Sequence, residues 1–115
     1  MTKKEREYYN RHIQYTCDDL GISERMYSNF RRLGATLHRL YEEDCNGYCD
    51  YNGNWDEKGA KRGELKQERI EKLATERAER LGLHIYIQSD PRGATIYLDK
   101  KPIADNDYTK ARCIY

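Results

Sequence analysis

Leu83-His84-Ile85-Tyr86-Ile87-Gln88-Ser89-Asp90-Pro91-Arg92-Gly93-Ala94-Thr95-Ile96-Tyr97-Leu98 is the stretch where this chain changes period. Aliphatic residues take alternate positions on both sides of its centre: Leu83, Ile85 and Ile87, then Ala94, Ile96 and Leu98. That alternation is the pattern of two strands, each with one face for a core. Asp90, Pro91 and Gly93 stand at the i, i+1 and i+3 positions of a type I turn. Arg92 is then the i+2 residue and points to solvent. Tyr86 and Tyr97 share the face opposite the core with His84 and Thr95. A lone hairpin is marginal in water, so Arg112-Cys113-Ile114-Tyr115 is expected to add a short third strand.

Upstream of residue 83 the period is helical. Tyr9, Ile13, Cys17 and Leu20 recur along one side of a helix over about 4–20, which Gly21 stops. Ser23 can cap a second helix over 23–45, whose stripe is Met26, Phe30, Leu33, Leu37 and Leu40. Spacings of four, three, four and three describe a seam packed on another helix. A third helix over 62–81 carries Ile70, Leu73, Ala74, Arg77, Ala78 and Leu81, and Gly82 ends it. Between them, residues 46–60 lack a period and hold three glycines beside Tyr48, Tyr51 and Trp55, which predicts an ordered aromatic loop. The expected class is α+β: about three helices on a small antiparallel β-meander made of hairpin 83–98 and the tail strand.

Composition sets the outer limits. The chain has 115 residues, enough for a single domain over 1–115. It is 36% charged with mean hydropathy −1.12, so its aliphatic core is thin and its eleven tyrosines must share the packing. A net charge of +1 and two prolines argue against disorder. No apolar run approaches a membrane span, and the opening Met1-Thr2-Lys3-Lys4-Glu5 lacks the apolar stretch of a signal peptide. A cytoplasmic location with reduced cysteines is the expectation. Charge is segregated: eight basic and five acidic residues over 1–41, six acidic and none basic over 42–57, then eight and five over 58–80.

Four constellations compete for a function. Residues 15–33 have the order of a helix-turn-helix, in which Arg25, Ser28, Asn29 and Arg32 would face DNA. Its second helix is longer than a usual recognition helix, and the chain lacks the basic excess of a DNA-binding domain. Cys45 and Cys49, with His38 upstream, have the spacing of half a zinc site, but no second pair matches it. His38 and Glu42, near Asp44 and Asp50, could hold a divalent cation for phosphodiester chemistry, yet no nucleophile-base pair accompanies them. The expectation is therefore no enzyme, no metal and no cofactor. The fourth constellation is a contact surface, because Tyr, Trp and Arg are the usual anchors of interfaces and twelve arginines accompany the tyrosines. Its first members are Tyr86, Tyr97 and Arg92 on the hairpin. The next are Tyr48, Tyr51 and Trp55, with the carboxylates Asp44, Asp50 and Asp56, in the acidic loop.

Two blocks also resemble a known group. Arg31-Arg32-Leu33, Thr36-Leu37-His38-Arg39 and Glu42-Glu43-Asp44-Cys45 look like the "LRR…TLHRW.E.EC" block of small phage and prophage proteins. Gln88-Ser89-Asp90-Pro91-Arg92-Gly93 and the strand after it look like their C-terminal "QGDPRGxxLYL". Leu40 replaces the usual Trp and Ser89 the usual Gly, and Cys49 is not part of the pattern, whereas His38 and Cys45 are. The resemblance covers about a quarter of the chain and brings no catalytic or binding residue with it. It implies a phage or prophage origin. The expectation that follows is a binding protein that inhibits a host nucleic-acid-handling complex, as anti-CRISPR proteins do, with the acidic stretch mimicking phosphate charge. The partner would be a host protein or ribonucleoprotein, with DNA as the alternative, and the oligomeric state is left open.

Overall fold

Thr2 opens the first helix with a capping box: its hydroxyl accepts the Glu5 N–H at 3.2 Å and the Glu5 carboxylate accepts the Thr2 N–H at 3.0 Å. A computed structural model describes residues 2–46, 56–90 and 92–115, without the side chains of 43–46. Helix α1 runs Lys3–Leu20 and ends on Gly21 in the left-handed region, φ 69°. Ser23 caps the next helix, its hydroxyl accepting the Met26 N–H at 3.2 Å. Helix α2 is Glu24–Asn46 and α3 is Glu57–Arg80. Strands β1 (His84–Asp90), β2 (Gly93–Asp99) and β3 (Arg112–Cys113) follow, and the sheet order β1-β2-β3 is an antiparallel meander. Among the described residues the protein is an α+β fold of three α-helices on one small sheet.

Helix α2 is the hub. Phe30 and Leu37 are fully buried, and Leu33 and Leu40 continue their seam. Phe30, Leu33 and Leu37 share one cluster with Ala94, Ile96 and Leu98 of β2, Ala74 and Ala78 of α3, and Cys17 and Leu20 of α1. Two polar bonds sew α2 to α3: Gln67 Nε2 donates to the Leu40 carbonyl at 3.1 Å in a buried site, and the Tyr41 hydroxyl donates to Glu71 at 2.5 Å. Buried amides require such partners. Arg112 of β3 donates to Asp19 of α1 at the edge of the assembly.

Three expectations need correction. Helix α3 starts at Glu57, inside the stretch expected to be loop, because Asp56 caps it by accepting the Gly59 N–H at 3.0 Å. Its buried face begins with Gly59, Gly63 and Gln67, one turn apart, and runs on to Ala74 and Ala78. Leu73 and Leu81 consequently stay 36% and 38% exposed rather than joining the core. On α1, Tyr9 is 51% exposed, since the residues of this helix that are buried or packed against the core are Ile13, Thr16, Cys17 and Leu20. The N-terminal half of α1 stands clear of the core. That accords with a radius of gyration of 16.3 Å, against about 13 Å for a compact domain of this length.

Besides its apolar packing, the hairpin is hydrogen-bonded to α2 near its tip. The Ala94 N–H donates to Nδ1 of His38 at 3.2 Å; with the other tautomer the ring would donate to the Ala94 carbonyl, 3.3 Å away. Gly93 lies against that ring at φ +149°, and a Cβ there would overlap Cε1 and Nδ1 of the imidazole. One turn earlier on α2, a Cβ on Gly34 would lie 2.6 Å from Cβ of Tyr115. The Tyr115 ring meets His38 edge-on at 5.6 Å between centroids. At the tip, the Asp90 side chain accepts the Arg92 N–H at 2.7 Å, an Asx turn that supports the reversal.

Two outcomes test this picture. Gly93→Ala combines backbone strain with a clash and is expected to lose about 2–4 kcal/mol in urea denaturation. Adding His38→Ala should recover part of that loss, because the clash goes and the strain stays. Separately, burial raises the Cys17 thiol above its ordinary 9.0, assisted by Glu24 and Asp18. Burial likewise raises the Tyr27 phenol above 10.0, which Arg31 partly offsets. The protonated forms are favoured in the fold, so their contribution is complete below the unfolded values and is lost as pH rises through the folded ones. The melting temperature should hold through neutrality and fall above about pH 9, with a shallower fall in Cys17→Ala.

Candidate interaction surface

The helices pack on one face of the sheet, so strand alternation leaves the other to Tyr86, Tyr97 and their neighbours. The register sets Tyr86 opposite Tyr97, their rings 6.5 Å apart and tilted by 56°. A third ring completes the group. Tyr108, which begins a single 3-10 turn, Tyr108–Lys110, stacks on Tyr86 at 4.8 Å with 6° between planes and meets Tyr97 edge-on at 5.1 Å. These are favourable aromatic geometries. All three residues are half-buried, so part of each remains accessible beside the ring contacts. Burial pushes the Tyr97 phenol above its ordinary value, and Cys113 and Tyr108 add to the effect. Cys113 is paired with Tyr97 across the strands and is a free thiol. Burial of its sulfur also raises it, although much of the residue meets solvent, while the Tyr115 carbonyl and Arg31 act in the opposite sense.

Arg92 is exposed at the hairpin tip. It lies five residues along β2 from Tyr97, about 16 Å at strand spacing, so the fold does not gather Arg92 and the tyrosines into one patch. Asp56 is occupied as the α3 cap. Tyr48, Tyr51, Trp55, Asp50 and Cys49 lie outside the described residues, as do the side chains of Asp44 and Cys45. His38 has Nδ1 committed to the hairpin, and among the described residues no group of three or more His, Cys, Asp or Glu side chains converges on a metal-sized site. On α2, Arg25, Ser28 and Arg32 are exposed and Asn29 is half-buried, opposite the buried seam. Arg39 extends the same row, since 25, 32 and 39 are two turns apart each time.

Sequence reading missed two aromatic features. Tyr108 sits in a non-periodic segment, where no pattern announces a contact with β1. Tyr8 and Tyr15 are 70% and 66% exposed on the solvent side of α1. Their spacing of seven on the polar side of the helix was a usable signal.

Tyr108→Ala tests the cluster. The fold should survive with a loss of about 1 kcal/mol. The Tyr97 phenol should titrate closer to its ordinary value, because the variant removes both covering surface and a neighbouring phenol. Ultraviolet absorbance of the phenolate against pH reads this directly. Among known proteins, no family model, no curated protein and no solved structure matches the chain.

Proposed function

We propose that this protein is a non-enzymatic binding protein of phage or prophage origin. It engages a host complex that handles nucleic acid and blocks it by protein–protein contact, in the manner of an anti-CRISPR inhibitor within the bacterial cytoplasm. The observation that supports this reading best is the Tyr86–Tyr97–Tyr108 cluster on the helix-free face of the sheet. Tyrosines anchor interfaces because they bury much area for few rotatable bonds. Here the rings already hold one another, so little further ordering is needed on binding. The resemblance of the 31–45 and 88–98 blocks to phage and prophage proteins supplies the biological setting.

A second reading keeps DNA as the direct partner through α2, favoured by the exposed row Arg25, Ser28, Arg32 and Arg39. The two are separated by paired experiments. Wild-type protein immobilised in a bacterial host lysate should retain subunits of a nucleic-acid-handling complex, and Tyr86→Ser/Tyr108→Ser should lose them while folding normally. Equal capture by both proteins, or none by either, overturns the leading reading. Duplex binding at low salt that disappears in Arg25→Ala/Arg32→Ala establishes the second reading in its place.

A further inference from the structure

Helix α3 sorts its charges by face. Lys58, Arg62, Leu65, Arg69 and Lys72 follow one another at i, i+4, i+7, i+11 and i+14, which places them in a single row along the helix. Lys61 and Lys66 flank that row, and Arg62, Leu65, Lys66 and Arg69 line one shallow depression. All six cations are exposed, and among the described residues none takes part in an ion pair or hydrogen bond. The carboxylates of this stretch lie off the row: Glu64 and Glu68 on an adjoining flank, and Glu71 bonded to Tyr41 on the side that packs against α2. The first acidic residue in the row itself is Glu76. From Lys58 to Lys72 the row is about 21 Å long.

We propose that this face of α3 binds the phosphate backbone of duplex nucleic acid without regard to sequence. This surface is separate from the tyrosine cluster, and its partner is the nucleic acid itself. A duplex presents about twelve charges over 21 Å of its axis, so a row of cations finds phosphates in any register. A folded acidic protein would have to match one particular spacing of carboxylates. An anionic membrane is a poorer fit, since an interfacial helix needs a continuous apolar face. The apolar face of α3 is already used against α2, and the basic side offers only Leu65, 60% exposed, and Leu73, 36% exposed. The near-zero net charge of the chain conceals the row, because the balancing carboxylates sit on other surfaces.

The experiment titrates the purified full chain against random-sequence duplex DNA in low salt and repeats the titration at rising salt. Micromolar binding is expected, independent of sequence, with a steep salt dependence. Arg62→Gln/Arg69→Gln should weaken binding at least tenfold and reduce the slope of log K against log salt by about two. Its circular dichroism and melting should match the wild type, since both side chains are exposed. Arg25→Ala/Arg32→Ala should bind as wild type does. Absence of binding, or loss in the α2 variant with retention in the α3 variant, overturns the proposal. So does equal or tighter association with anionic phospholipid vesicles that the same two α3 substitutions abolish. None of these readouts involves a host protein, so failure here and failure of the proposed function are distinguishable.

Discussion

His38 reaches the backbone of Ala94 only because the residue before Ala94 has no side chain. That contact is the one hydrogen bond from α2 to the hairpin among the described residues, and it fixes how far along α2 the tip can sit. With the tip placed, Ile96 and Leu98 fall onto Phe30 and Leu37, and the register carries Tyr86 and Tyr97 to the outside. A bulkier residue at 93 would collide with the His38 ring and disturb this joint. The joint also unites two sequence blocks far apart in the chain, residues 31–45 and 88–98, since one supplies the imidazole and the other the turn and its glycine.

Small residues recur at the packed positions. Gly34 receives Tyr115, and the buried face of α3 is built largely of Gly59, Gly63, Ala74 and Ala78. A chain poor in large aliphatic residues has little volume with which to fill wide gaps between elements. Bringing backbones together over small residues narrows those gaps, so a modest set of Leu, Ile and Phe side chains can occupy the interior. The tyrosines are then released from core duty to a degree that the composition alone does not suggest. Tyr27 is buried, but Tyr86, Tyr97 and Tyr108 cluster at the surface, and Tyr8 and Tyr15 project from α1.

Legibility in the sequence followed the strength of periodic burial. The seam of α2 was readable because it packs on two sides, which forces spacings of four and three. The hairpin was readable because alternation and turn chemistry agree at Asp90 and Gly93. The start of α3 was not, since Gly59 and Gly63 look like helix breakers, yet both lie on the buried face that continues into Gln67, Ala74 and Ala78. Tyr9 misled for the opposite reason: it keeps the period of α1 in a part of the helix that has nothing to pack against. Tyr108 belongs to a contact made by tertiary closure, and local sequence carries no record of it. The basic row of α3 was hidden by counting charges per segment rather than per face.

The free half of α1 carries a consequence for the timing of motion in this molecule. Its backbone is held by its own helical bonds and the Thr2–Glu5 box, with no packed surface to cooperate with. Amide hydrogens there exchange through fraying of a turn or two, at little free-energy cost. The Ala94 amide, donated to an imidazole on another element, is freed only when the hairpin leaves α2. Local opening and near-global opening therefore coexist in one short chain, on clocks set by whether an amide's partner lies in its own helix or across the core.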